Sequence, residues 1–111
     1  MSSQQQRVLD LLAVIEMEMR LHGLWSAQHP GDEALASTQP FAVDTLDFEQ
    51  WVQFIYLPRL KVMANVGQLP DNVCVCPMAE ESWRPHGDKL QVLIERIADL
   101  DEALSGKRVR E

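Results

Sequence analysis

Residues 5–22, QQRVLDLLAVIEMEMRLH, carry apolar side chains at steps of three and four positions. At about 100° per residue these side chains fall into one stripe on a helix. Gly23 follows directly, and glycine is the residue that most readily takes the left-handed conformation that ends a helix. The stretch therefore predicts an amphipathic helix with one buried face. The residues of that face are Val8, Leu11, Leu12, Ile15 and Met19.

A second helix is predicted over residues 47–66. Asp47 can cap its first turn, and Gln50 three positions later completes a capping-box pattern. Pro58 lies inside the run and predicts a kink, because its ring crowds the carbonyl of Phe54 and it has no N–H to donate. The predicted buried face consists of Phe48, Trp51, Val52, Ile55, Val62, Met63 and Val66.

A short helix is predicted over residues 77–83, where a proline precedes two acids. A third long helix is predicted over residues 88–105, and its predicted buried face consists of Leu90, Leu93, Ile94, Ile97, Leu100 and Leu104. No alternating strand pattern is longer than residues 72–76. Three amphipathic helices predict an all-α fold, an antiparallel three-helix bundle with one or two short extra helices in the connections. A chain of 111 residues fits a single domain, 1–111.

Composition narrows the classes of function. The formal net charge is −7, with 17 acidic residues against 10 Lys and Arg. Direct binding to nucleic acid is not expected, because such binding depends on basic side chains that neutralise phosphates. No apolar stretch is long enough to span a membrane, and the polar start carries no secretory signal, so we expect a cytoplasmic protein.

The cysteine and histidine residues predict neither a metal site nor a cofactor. Cys74 and Cys76 are too close in the chain to bridge each other and are expected to be reduced thiols. With His86 they would give three metal ligands, whereas a structural zinc site takes four at a different spacing. No catalytic or phosphate-binding motif is present.

Arg59 is the most specific candidate residue. It lies four positions after Ile55 and three before Val62, both on the predicted apolar face. A guanidinium buried there needs a partner. We expect it to pair with a carboxylate from the region of Asp44 or Glu80.

Gln50 and Gln53 flank Trp51 on the same helix and complete the set of candidate binding residues with Asp44, Arg59 and Glu80. The long connection 24–46 contains proline, glycine and hydroxyl residues. So long a connection is unusual in a compact domain, and it is either functional or packed down by apolar side chains of its own. These anchors are Trp25, Leu35 and Phe41.

Several segments together resemble the YqcC-like family of small bacterial proteins. They are Ser37 to Phe41, Asp44-Thr45, Glu49 to Gln53, Leu57-Pro58-Arg59, Leu69-Pro70 and Pro77 to Glu81. The resemblance spans nearly the whole chain and implies a compact helical bundle. It assigns no reaction, and it implies an association with tRNA pseudouridine synthase C, whose gene often lies beside genes of this family.

Two hypotheses for the function follow. The first is a non-catalytic interaction module, an accessory to a tRNA-modifying enzyme, whose acidic surface suits the basic face of an RNA-binding protein. The second is a protein that binds a small molecule, or an enzyme, with a pocket between the kinked second helix and the 24–46 loop. A buried, unpaired Arg59 with Gln53 facing the same cavity would favour the second hypothesis.

Overall fold

The computed structural model describes residues 3–71 and 73–105. Its α-helices are α1 (Ser3–Leu21), α2 (Asp32–Leu35), α3 (Phe48–Trp51), α4 (Leu57–Asn65), α5 (Cys76–Ser82) and α6 (Gln91–Ser105). A π-helical segment, Val52–Tyr56, joins α3 to α4, so residues 48–65 form one continuous helix. Short 3₁₀ segments lie at Pro40–Ala42 and Arg84–Leu90.

Helix α1 runs antiparallel to both other long helices. At its start, Gln5 Nε2 donates to the carbonyl of Ala64 at the end of α4 (2.7 Å), and Gln4 Nε2 donates to the carbonyl of Ala103 at the end of α6 (3.0 Å). Helices α4 and α6 therefore run in the same direction, and residues 66–90 carry the chain back between them. The structure confirms the predicted all-helical bundle, with more short helical segments in the connections than the sequence indicated.

The predicted apolar faces of α1 and α6 form most of the core. Every residue predicted to be buried on these two helices is buried, and Ile15, Leu93 and Ile97 have no exposed surface. Trp25 and Phe41, two predicted anchors of the 24–46 connection, pack partly buried against this core. The spacing of apolar residues therefore predicts the buried faces of these two helices correctly.

The second long helix departs from the predicted face because of its π turn. The N–H of Leu57 donates to the carbonyl of Val52, five residues back instead of four. This wide turn lies immediately before Pro58, whose missing N–H leaves the Phe54 carbonyl without its usual helical donor. One extra residue in a turn rotates everything after it by about 100°.

The rotation changes which side of α4 is buried. Before the π turn, Phe48 and Val52 face the core as predicted. After it, the buried residues of α4 are Leu57, Leu60 and Ala64. The prediction that Val62 and Val66 are buried is wrong, since they are 64% and 62% exposed.

The same rotation turns Arg59 outward. Its side chain is exposed, and no ion pair with Asp44 or Glu80 occurs among the residues that the structure describes. The expected pairing is therefore corrected: the side chain of Arg59 lies outside the buried face of α4 and needs no buried partner.

We expect Arg59→Ala to change the free energy of unfolding by less than about 0.5 kcal/mol, the usual range for an exposed substitution. Leu60→Ala, the matched control one position away, removes a side chain that is 2% exposed and should cost about 2–5 kcal/mol. Denaturant titration of both variants measures the difference. Equal losses would show that the helix keeps an unbroken α-helical register through Pro58.

In the described segments, no helix combines the length and the apolar character that crossing a membrane requires.

Candidate functional site

The five candidate binding residues do not come together. Gln50 accepts a hydrogen bond from the backbone N–H of Asp47 (2.9 Å), which is the capping box that the sequence predicts. Asp44 is exposed and accepts from the hydroxyl of Ser37. Glu80 is exposed on α5 and accepts from the thiol of Cys76 (3.5 Å). Each therefore serves local structure.

Gln53 is buried and fastens the 24–46 connection to the π-helical turn. Its Oε1 accepts the backbone N–H of Ser26 (2.7 Å), and its Nε2 donates to the carbonyl of the same residue (2.8 Å). The side chain is 7% exposed. Both ends of the amide are thus engaged within the chain, so Gln53 acts as a clamp for the connection that follows α1.

We expect Gln53→Ala to lower the free energy of unfolding by about 1–3 kcal/mol, because it leaves the N–H and carbonyl of Ser26 without their buried partner. Gln68→Ala removes the same side chain from an exposed position and should have almost no effect. Thermal unfolding gives the comparison, and hydrogen exchange at Ser26 shows whether the connection loosens. An unprotected Ser26 amide in the unmodified protein would contradict the clamp.

A groove of about 370 Å³ lies between α1, Trp25 and the second long helix. Its walls are mostly apolar, with Leu9, Leu12 and Ala13 on one side and Leu57 and Pro58 on the other. This is the concavity that the second hypothesis needs beside the irregular helix.

Two of the polar side chains that line this groove, Gln53 and Glu16, have partners within the chain, and Lys61 is the third polar side chain of the lining. Gln53 is held by Ser26, and Glu16 pairs with Arg20 (2.9 Å), whose guanidinium lies 4.8 Å from the centre of the Trp25 ring. Arg59 is not among the residues that line the groove. The observation that would favour the ligand-binding hypothesis is therefore not met.

A second concavity, of about 470 Å³, opens between the 40–46 segment, the start of α3 and α5. We name it the Phe41 cavity. Carboxylates of Asp47 and Glu49 lie in its lining, together with His86 and Ser82. The apolar part of the lining consists of Phe41, Val43, Leu46, Phe48 and Met78.

The wall of the Phe41 cavity contains an unusual backbone. Phe41 and Ala42 both have positive φ angles, 57° and 50°, although neither is glycine. Such a conformation costs of order 1–3 kcal/mol per residue and persists only where packing enforces it. Here Ala42 is 3% exposed, and the Phe41 ring packs against Trp51 at 4.8 Å. Aromatic packing therefore holds the strained turn in place.

Trp83 and Glu49 join this cavity to the core. The indole Nε1 of Trp83 donates to Glu49 Oε1 (3.4 Å), and the Trp83 ring meets Phe48 edge to face at 5.0 Å. Trp83 itself is 1% exposed. One carboxylate oxygen of Glu49 is thereby fixed by a buried ring.

Two buried polar groups were not predicted from the sequence. Asp101 has no exposed surface, and its Oδ2 accepts the backbone N–H groups of Val75 (2.9 Å) and Cys76 (2.8 Å) at the start of α5. Within the described residues, Asp101 Oδ1 and the hydroxyl of Tyr56 have no hydrogen-bond partner. The sequence contains a pattern that predicts the burial of Asp101, because this residue lies four positions after Ile97 and three before Leu104, inside the apolar stripe of α6.

Burial shifts the pKa of both groups upward. Desolvation raises the pKa of Asp101, against the lowering effect of the hydrogen bonds from Cys76 and Val75. Desolvation also raises the pKa of Tyr56, with the negative charge of Asp101 as the smaller cause. Both groups lie in the core away from the two concavities, so their shifts belong to structural roles.

The thiols and the acidic side chains form no cluster that could hold a metal ion in the described part of the chain. In the described residues neither Cys74 nor Cys76 forms a disulfide; the first is exposed and the second is buried at the start of α5.

Comparison with known proteins identifies the family. A family model described as tRNA pseudouridine synthase C matches residues 7–103. The solution NMR structure of protein YqcC from Escherichia coli superposes with a TM-score of 0.84 at 25% identity, covering 99% of this chain and 95% of that one. The chain belongs to the YqcC-like family.

Two relatives differ in how much of their own length matches this chain. An uncharacterized protein of Haemophilus influenzae is 30% identical over 88 residues, which are 78% of this chain and 83% of the relative. A tRNA pseudouridine synthase C of Pectobacterium carotovorum subsp. carotovorum is 31% identical over 83 residues, 74% of this chain. The matched region is 22% of that protein, so most of the synthase lies outside it.

Proposed function

We propose that this protein is a non-catalytic interaction module of the cytoplasm that serves as an accessory to a tRNA pseudouridine synthase. One observation carries the proposal: a relative with the name tRNA pseudouridine synthase C contains a region similar to this chain as about a fifth of its length. Domains that share one chain in one organism commonly act together when they are separate chains in another.

The charge of the chain supports a protein partner over RNA itself. A net charge of −7 repels phosphates, whereas an enzyme that binds tRNA needs a basic surface. Complementary charge speeds the association of such partners and selects between them. The acidic module and the basic enzyme are therefore suited to each other, and the module has no need to touch the tRNA.

Direct binding tests the proposal. The purified chain is mixed with the tRNA pseudouridine synthase C of the same genome, and complex formation is followed by calorimetry and size-exclusion chromatography. We expect a stoichiometric complex whose association slows as salt rises, because charge attraction between exposed groups is screened. A labelled tRNA serves as the control and should not bind the module alone. Absence of a complex at low salt would refute the proposal.

A further inference from the structure

The lining of the Phe41 cavity contains more acidic than basic side chains. Asp47 and Glu49 supply two carboxylates, no Lys or Arg lines it, and His86 is its one basic residue. Asp47 is exposed and Glu49 is half-buried. A concavity with low-dielectric walls and one sign of charge concentrates the opposite charge within it.

The surrounding sequence strengthens this field. Between Arg20 and Arg59 the chain has no Lys or Arg at all. The same stretch holds five acids, Asp32, Glu33, Asp44, Asp47 and Glu49. One wall of the cavity therefore comes from a segment with five acids and no Lys or Arg, and Arg84, between the lining residues Ser82 and His86, is paired with Glu81.

An aromatic ring also lines the cavity beside its carboxylates. Phe41 is half-buried there, and the ring of Phe48, which is 6% exposed, lies behind it with ring centres 6.3 Å apart. A planar guanidinium can stack on an aromatic face and offer paired N–H donors to a carboxylate, which an ammonium group cannot do. We propose that the Phe41 cavity binds an arginine side chain presented by a protein partner. This inference rests on the proposed function for the identity of the partner, the synthase, and on the cavity itself for its chemistry.

The orientation of Glu49 supports this role. The Trp83 indole N–H donates to its Oε1 at 3.4 Å, a long hydrogen bond that favours one orientation of the carboxylate before a partner arrives. A preorganised acceptor loses less side-chain entropy on binding than a free one. Trp83 is thereby a built-in reporter, because its indole N–H touches the same carboxylate that the guanidinium would reach.

The first experiment uses a small probe. Nα-acetyl-L-arginine methylamide is titrated into the labelled protein, and the indole N–H resonance of Trp83 is followed by NMR. We expect a saturable shift of that resonance, with the Trp25 indole unmoved. The citrulline analogue has nearly the same shape without the charge and should produce no shift. Equal responses to both probes, or no response to either, would overturn the proposal.

The second experiment separates the cavity from bulk charge. Asp47→Asn with Glu49→Gln removes two charges from the cavity while keeping a good helix cap and an acceptor for Trp83. Asp32→Asn with Glu33→Gln removes two charges from the same acidic segment outside the lining. We expect the cavity variant to bind the synthase at least about tenfold more weakly and the control variant to bind nearly as well as the parent.

The outcomes distinguish the two proposals. A synthase complex that both variants weaken equally, or neither weakens, would refute the arginine site and leave the accessory role standing. A protein that binds no synthase but shows the saturable, charge-dependent shift at Trp83 would refute the accessory role and leave the arginine site standing.

Discussion

Replacing Trp83 with alanine is expected to lower the free energy of unfolding by about 3–5 kcal/mol, the largest effect of any single substitution considered for this chain. The ring is 1% exposed and packs at 5.0 Å against Phe48, so its removal opens a large cavity between α5 and the second long helix. It also removes the N–H that holds Glu49. Denaturant titration at neutral pH measures the loss.

Two variants make this prediction specific. Trp25 is partly buried at the rim of the groove, so Trp25→Ala should cost clearly less than Trp83→Ala. Trp83→Phe keeps most of the packing and serves where the alanine variant fails to fold. If Trp83→Ala cost no more than Trp25→Ala, the ring would not be the core element that the structure shows.

Asp101→Ala should lower the free energy of unfolding by about 2–4 kcal/mol, because two backbone N–H groups at the start of α5 lose a buried acceptor. Asp101→Asn keeps an acceptor oxygen of the same shape and should lose less. The comparison separates the acceptor from the charge. Equal losses in the two variants would show that the charge, and not the acceptor, holds α5.

The parent protein and the Asp101→Asn variant should also differ in how their stability depends on pH. Burial holds the pKa of Asp101 above its value in the unfolded chain, so its proton is bound more tightly in the folded state. The contribution of Asp101 to the free energy of unfolding is then fully present at a pH below its pKa in the unfolded chain. It is lost as the pH rises through its pKa in the folded protein. The Asn variant lacks this titration. We therefore expect it to gain on the parent protein as pH is raised from about 4 toward neutrality, as measured by unfolding at each pH.

The contrast between Arg59 and Asp101 shows where the spacing of apolar residues predicts burial correctly and where it does not. Both residues lie four positions after one apolar residue and three before another. On the regular helix α6 the pattern holds, and Asp101 is fully buried. On the second long helix the π turn intervenes, and Arg59 is exposed. The sequence showed that Pro58 disturbs the helix, but not that the disturbance adds a residue to a turn.

Less of the candidate site than of the fold could be predicted from the sequence. The capping box of Asp47 and Gln50 is local, since its residues are three positions apart, and the sequence predicts it correctly. The clamp between Gln53 and Ser26 joins residues 27 positions apart, and the Phe41 cavity brings α5 to the 40–46 segment. Such contacts depend on how separate helices pack, which no short-range pattern encodes.

Residue spacing and composition specify the helical class, the buried faces of α1 and α6 and the acidic segment without Lys or Arg that borders the cavity. These properties act within one or two helical turns and can therefore be predicted from the sequence. The packing of the helices sets the antiparallel orientation of α1 to both neighbours, the outward position of Arg59 and the contact of Asp101 with the start of α5. Those outcomes depend on a one-residue change of helical register and on contacts across the core, where small rotations of a helix exchange buried side chains for exposed ones.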